Sequence, residues 1–265
     1  MFYFMLSRLK TILSHPLVRG LDLDSLEANS LRRRIIQEKL FLKEIYKEWY
    51  TEISISLPKT PDGPVLEIGS GGGFLKEFVP GLITSEILNI SSADILLDGH
   101  CLPFKKNSLK GIVMIDVFHH MQNVKLFLDS AAYCLKLDGV LVMVEPWNTA
   151  WSRFIYKYLH HESFDHEANQ WSFTKGGPLS QANSALPWIV FSRDKEKFEQ
   201  EFSTWHIQKI RPHTPFRYLI SGGVSFISFS PMFLYKMWRG IEGVFNPWMN
   251  LWAMFATIIL VNNHE

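Results

Sequence analysis

An acid followed by three glycines at alternate positions is the run in this chain best suited to holding a ligand. It reads Val65-Leu66-Glu67-Ile68-Gly69-Ser70-Gly71-Gly72-Gly73-Phe74-Leu75. Strand-type residues lead to Glu67, and the glycines then allow a tight turn that feeds a helix. Such a turn lets a nucleotide-like ligand lie against backbone N–H groups, because glycine puts no side chain in its way and tolerates unusual dihedrals. A dinucleotide fingerprint would need Gly-x-Gly-x-x-Gly. Counted from Gly69, its third glycine would fall at Phe74. Glu67 would also repel a pyrophosphate, whereas it suits a ligand carrying positive charge, such as an ammonium or a sulfonium. A tight turn can serve structure alone, but three alternating glycines after an acid favour a ligand.

Further polar residues follow in order. Ile83-Thr84-Ser85-Glu86 can end a second strand on an acid. Glu86 lies roughly twenty residues past the turn, where Rossmann-like sites hold both ribose hydroxyls on one carboxylate. Asp94 competes for that role, but an apolar run stands directly before Glu86. Next comes Asp98-Gly99-His100-Cys101-Leu102-Pro103-Phe104, then the apolar run Ile112-Val113-Met114-Ile115, then Asp116-Val117-Phe118-His119-His120-Met121. An unbroken apolar run suits a strand buried on both faces. Together these stretches resemble the class I S-adenosylmethionine (SAM) dependent methyltransferases, and the Asp98 to Phe104 loop is similar to that of their type 11 branch. The resemblance covers residues 62–146 and implies SAM as cofactor. By it, Glu67, Gly69, Ser70, Gly71 and Gly73 would surround the cofactor and Glu86 would hold its ribose. Asp98 would accept the adenine amine, the Gly99 backbone would meet the ring, and Asp116 would border the methionine part.

Methyl transfer is an in-line displacement. The protein must orient a nucleophile, exclude water and, for a hydroxyl, take up a proton. Histidine suits that proton at neutral pH. His120, with His119 beside it, is the first candidate for base or substrate orienter; His160, His161 and His166 are second candidates. Glu145, at the end of an expected fifth strand, and Trp147 just beyond it would face the same cleft. His160, His161, Asp165 and His166 carry ligand-type atoms, but adjacent ligands rarely converge on one ion, and no metal is expected. The implied acceptor is a small molecule or lipid-like, with oxygen favoured over carbon or nitrogen. Two other readings stay open: a catalytically silent, membrane-associated protein that keeps the fold, and a nicotinamide-dependent oxidoreductase, which Phe74 disfavours.

These residues need a scaffold. The expected fold is α/β: a Rossmann-like seven-stranded sheet, six strands parallel and one antiparallel, with helices on both faces and inserted cap segments. A helical lid would span 1–60, with a helix over 29–50 marked by Ile35, Leu40, Phe41, Ile45 and Trp49. The SAM-binding core would span 61–146, with strands over 109–117 and 140–145 and a helix over 124–136. An aromatic, histidine-rich cap would follow the fifth strand over 147–203. Residues 204–265 would hold the last two strands, at 204–211 and 254–261, around an apolar insertion at 213–247. From Tyr218 to Tyr235 that insertion carries no charge. It would line an apolar substrate channel or touch a membrane interface, and the sequence leaves both open.

Composition narrows the setting. A chain of 265 residues can bury a full core. A net charge of +1 without a basic stripe argues against nucleic acid. Two cysteines, Cys101 and Cys134, build no disulfide framework, which points to a reducing, cytoplasmic setting. Cys101 is expected as a small space-filler. Phe2, Met5, Leu6, Leu9, Ile12 and Leu13 share one helical face, which would cover the protein's own core or rest peripherally on a membrane. The apolar run from Trp248 to Val261 is too short for a bilayer, which needs about 20 residues. Nothing in the sequence fixes an oligomeric state.

Overall fold

The structure is a computed structural model that describes residues 11, 13–18, 25–160, 162–173 and 182–263. The amphipathic segment expected over residues 2–13 falls largely outside them, as does His161.

Seven strands form one sheet: β1 (Val65–Ile68), β2 (Leu82–Glu86), β3 (Ile95–Leu96), β4 (Leu109–Ile115), β5 (Leu135–Pro146), β6 (Trp205–His213) and β7 (Phe255–Asn262). Their order is β3-β2-β1-β4-β5-β7-β6. Six strands are parallel, and β7 lies antiparallel between β5 and β6, with Val142 opposite Ile259 and Ile210 opposite Ile258. The central strands are apolar because helices and loops cover both of their faces: Leu66, Ile112, Val113 and Met114 are fully buried. The order reverses between β1 and β4. The crevice beyond the carboxyl ends of those strands is where open α/β sheets bind ligands.

One face of the sheet is covered by α1 (Leu26–Glu38) and α2 (Leu40–Ser56). Phe41, Leu42, Ile45, Trp49 and Ile53 of α2 share a core with Val113, Val142 and Ile259. The helix expected over 29–50 is therefore two helices, broken at Lys39, whose φ of −83° and ψ of 82° leave the helical region. The side chain explains the break. Lys39 Nζ turns inward and donates to the carbonyls of Gly223 (2.5 Å) and Phe226 (2.8 Å). Burial pushes this amine down to about 8.

The helix expected after the glycine turn is also different. The turn feeds one 3-10 turn, Leu75–Glu77, and β2 begins at Leu82. Pro80 and Gly81 allow no longer helix there. Tyr50 of α2 packs in instead: its ring meets Phe74 edge-on at 4.7 Å, and its hydroxyl accepts the Phe74 N–H at 3.1 Å.

The other face carries α3 (Val124–Cys134), whose first turn is capped by the Asn123 side chain on the Leu126 N–H. Beside it, Phe191, Phe198 and Phe202 pack with Leu66, Met114, Met143 and Leu260. Much of the expected cap over 147–203 thus lies against the sheet, including α5 (Lys195–Glu201), whereas α4 (Ala150–Leu159) stays by the strand ends. After β6, α6 (Arg217–Ser221) and residues 222–226 close over the crevice, and α7 (Tyr235–Val244) follows. Among the described residues, no helix is long and apolar enough to cross a membrane.

Candidate active site

A cavity of about 810 Å³ opens at the carboxyl ends of β1, β2 and β4. Small-molecule sites run from about 300 to 1,000 Å³, so this one has room for two ligands side by side.

The glycine turn forms one end. Gly69 and Gly71 have φ of 67° and 45°, a region that costs other residues about 1–2 kcal/mol. The turn also tolerates no bulk: a Cβ on Gly72 would lie 2.5 Å from the Arg33 backbone nitrogen. Glu67 forms the floor. Burial, with Glu86 nearby, pushes its carboxyl up to about 8. Glu86 accepts the Gly71 N–H on one oxygen (2.9 Å) and the Ile87 N–H on the other (2.8 Å). Asp94, its competitor, is tied outside the cavity to Lys76 (2.8 Å) and to the Thr84 N–H (2.9 Å). Asp98, Gly99 and His100 line the far side, with Asp98 accepting the His100 N–H at 2.9 Å. Cys101, expected as a filler, is exposed.

A cluster of acids and histidines meets this end from the next strand. Asp116 sits in the left-handed region at φ 60° and lines the cavity. Burial raises its carboxyl to about 7 against the pull of His119, and Glu162 and Glu145 add to the rise. His119 is fully buried between two carboxylates, with Nδ1 at 2.8 Å from Glu145 and Nε2 at 3.2 Å from Glu162. Burial alone would lower its pKa, but Glu162 and Glu145 outweigh burial and hold it well above the ordinary value. Glu162 is the hub: His120 Nε2 lies 3.6 Å away and His160 Nδ1 3.8 Å away. Burial would raise the Glu162 carboxyl, yet His119 dominates and keeps it well below its usual range.

The cavity wall includes His120, His160 and Glu162. Three sequence candidates stand behind it. His119 is part of the supporting pair. Glu145 is fully buried and spends its second oxygen on the Val117 (2.8 Å) and Phe118 (2.7 Å) N–H groups, so it braces the turn rather than facing the cleft. Trp147 is buried in the sheet-face core. Sequence reasoning missed Glu162; its signal was an acid directly after the His160-His161 pair.

His119, His120 and Glu162 hold ligand-type atoms within 4.8 Å of one another, as do Asp116, His119 and Glu145. Both sets require His119. Both ring nitrogens of that histidine already meet carboxylates, Glu145 on one side and Glu162 on the other.

Beyond the cluster the wall turns apolar. Tyr46, Tyr156, Leu159, Tyr218, Leu219 and Met254 line it, and residues 222–226 complete the roof. Of the two options for the apolar insertion, its first part lines the cavity.

A family model described as a methyltransferase domain matches residues 37–216, from α1 to the start of the roof. The chain belongs to that family. Similar in fold is a SAM dependent methyltransferase from Archaeoglobus fulgidus, with TM-score 0.50 and 16% identity over 83% of this chain and 93% of that one. The YcgJ protein of Bacillus subtilis aligns with TM-score 0.45 and 13% identity over 82% of this chain and 98% of its own. No curated protein sequence matches. The methyltransferase is an enzyme that uses SAM, which sets the nicotinamide reading aside. Its residues fit that cofactor. Ser70 Oγ, buried in the glycine turn, has no hydrogen-bond partner among the described residues, and such an orphan in a cradle suits an incoming polar ligand. Glu67, a buried acid in the cavity wall, suits a cationic ligand that would stabilise its ionised form.

Proposed function

We propose that this methyltransferase methylates a hydroxyl on an acceptor with an apolar body, either a hydrophobic small molecule or a lipid-like one. The observation that carries the reading is one cavity shared by the glycine turn, the His120–Glu162 pair and an aromatic wall. Glu67, Gly69, Ser70, Gly71 and Gly73 would hold the cofactor's methionine end, with Asp116 at its border. Glu86 would hold the ribose, and Asp98 and Gly99 the adenine. When bound, SAM supplies an electrophilic methyl group on a sulfonium.

The chain's own residues do the rest. His120 takes the proton of the acceptor hydroxyl on its neutral ring nitrogen. Glu162, 3.6 Å from that ring, orients it and stabilises the imidazolium that forms. His119 keeps Glu162 ionised, and Glu145 keeps His119 in place. Tyr156, Tyr218 and Leu219 exclude water and position the acceptor's body. A base of this kind favours an oxygen nucleophile, which must lose its proton to react. In this reading residues 1–60 serve as lid and 61–146 as cofactor core. The first part of 147–203 and the start of the 213–247 insertion wall the acceptor.

The test is incubation with methyl-labelled SAM and fractionated cell extract. Label should pass to an organic-extractable acceptor, be unaffected by a chelator, and slow about 100-fold or more in kcat with His120→Ala while SAM affinity holds. Label confined to water-soluble acceptors would overturn the apolar-body reading. An unchanged kcat in His120→Ala would remove the base.

A further inference from the structure

The large apolar side chains that the described residues leave exposed concentrate on one stretch, 227–251. Phe229, Phe233, Met237, Val244, Trp248 and Leu251 are all at least half exposed or nearly so, with Phe233 at 82% and Val244 at 68%. Met237 and Val244 stand on α7, and Phe233, Trp248 and Leu251 on the short turns that flank it.

α7 packs on the core by its inward side, where Trp238 is partly buried. Its inward positions are Tyr235 and Glu242, exposed by 5% and 4%. Glu242 accepts the Phe216 N–H (2.9 Å), the Arg217 N–H (2.6 Å) and Arg217 Nε (2.5 Å). Met237 and Val244 face outward together with Lys236 and Arg239, so the outer side of α7 joins apolar side chains to cations. An outward apolar face of this extent marks an interaction surface.

Charge identifies the occupant. Glu242 is the one acid in the sequence from 203 to 263. The exposed charges beside the apolar row are Lys236 and Arg239, although Arg239 also meets Glu48 of α2 at 3.1 Å. A second copy would present the same cations and, from residues 203–263, no exposed acid to balance them. An anionic lipid surface matches both the apolar row and the flanking cations. The surface also continues into the cavity roof: Phe226 lines the cavity, and Ile227 and Phe229 follow it outward. We propose that residues 227–251 dock this methyltransferase on an anionic bilayer surface, with α7 lying in the interface plane. The surface stands independently of the acceptor's chemistry.

The full chain is tested by co-sedimentation with vesicles of phosphatidylcholine alone and of phosphatidylcholine with phosphatidylglycerol. The expected result is binding to the anionic vesicles that weakens as salt is raised. Phe233→Ser with Trp248→Ser should reduce it at least tenfold, and Lys236→Glu should remove the preference for the anionic lipid. SAM affinity, unchanged in each variant, reports that the fold is intact. Wild-type protein that stays in the supernatant with both vesicles would overturn the proposal. So would a double variant that sediments like wild type. A wild-type dimer that the double variant converts to monomer, without vesicle binding, would assign the surface to a second copy instead.

Discussion

Replacing Glu67 by glutamine should flatten a steep pH dependence of SAM binding. The carboxyl is 4% exposed and raised to about 8 by burial, with Glu86 adding to the rise. An ammonium is attracted by its ionised form. With binding confined to that form, apparent affinity follows the ionised fraction. A group titrating near 8 is about 0.3% ionised at pH 5.5 and about 24% at pH 7.5. The wild-type Kd should therefore tighten roughly 70-fold across those two units. The amino group of SAM, with an ordinary α-amino pKa of about 7.7–8.0, stays mostly protonated in that window. Folding runs the other way. A carboxyl whose folded pKa is raised contributes stability that is complete below its ordinary value of 4.5 and is lost as pH rises through about 8. The empty wild-type protein should lose stability over the range in which it gains affinity. Glu67→Gln keeps the volume and stays neutral. It should bind as weakly as acidic wild type, with a Kd that drifts by less than about threefold over the window, a small remainder of the roughly 70-fold wild-type change. Titration calorimetry at half-unit steps measures both curves. Asp116→Asn serves as control, because Asp116 is raised to about 7 and titrates in the same range. A flat wild-type curve, or an equal slope in Glu67→Gln, would refute the reasoning.

Three other substitutions test the framework. Gly72→Ala forces a Cβ to 2.5 Å from the Arg33 nitrogen, so α1 must shift; the expected cost of about 1–3 kcal/mol should lower Tm by roughly 2–12 °C in scanning calorimetry. His119→Ala leaves Glu145 and Glu162 facing each other without their cation and should cost about 3–5 kcal/mol at neutral pH in urea unfolding. Because the folded pKa of His119 is raised, its contribution is complete below the ordinary 6.5 and fades as pH rises through the higher folded value, so the gap to wild type should narrow on the alkaline side. Lys39→Met removes the donor to Gly223 and Phe226; cleavage between residues 222 and 226 in limited proteolysis should quicken several-fold, with global stability changed by about 1 kcal/mol or less.

The sheet was readable because its signals are long and redundant. β4 and β7 carry the unbroken apolar runs Ile112–Ile115 and Ile258–Val261, as strands covered on both faces require. The glycine turn was readable because glycine spacing after an acid carries its own geometry. Other features turn on direction, which periodicity does not encode. In the three-residue turn Phe118–His120, the two histidine rings lie 4.3 Å apart, yet His119 is fully buried while His120 lines the cavity. Glu145 looked like a cleft acid because it ends β5, yet its oxygens are consumed by the neighbouring turn. The break at Lys39 was hidden because its cause, a pair of carbonyls in the roof, lies 184 and 187 residues away. The missing helix after the glycine turn was hinted at by Pro80-Gly81, but its replacement by Tyr50 comes from a distant segment.

The seam along α1 joins the two ends of the cavity. At one place Arg33 of α1 reaches the Gly73 carbonyl at 3.0 Å, with its backbone seated on Gly72. Just past the end of the same helix, Lys39 holds the roof carbonyls. Displacing residues 222–226 would therefore load the same helix end that packs on the glycine turn.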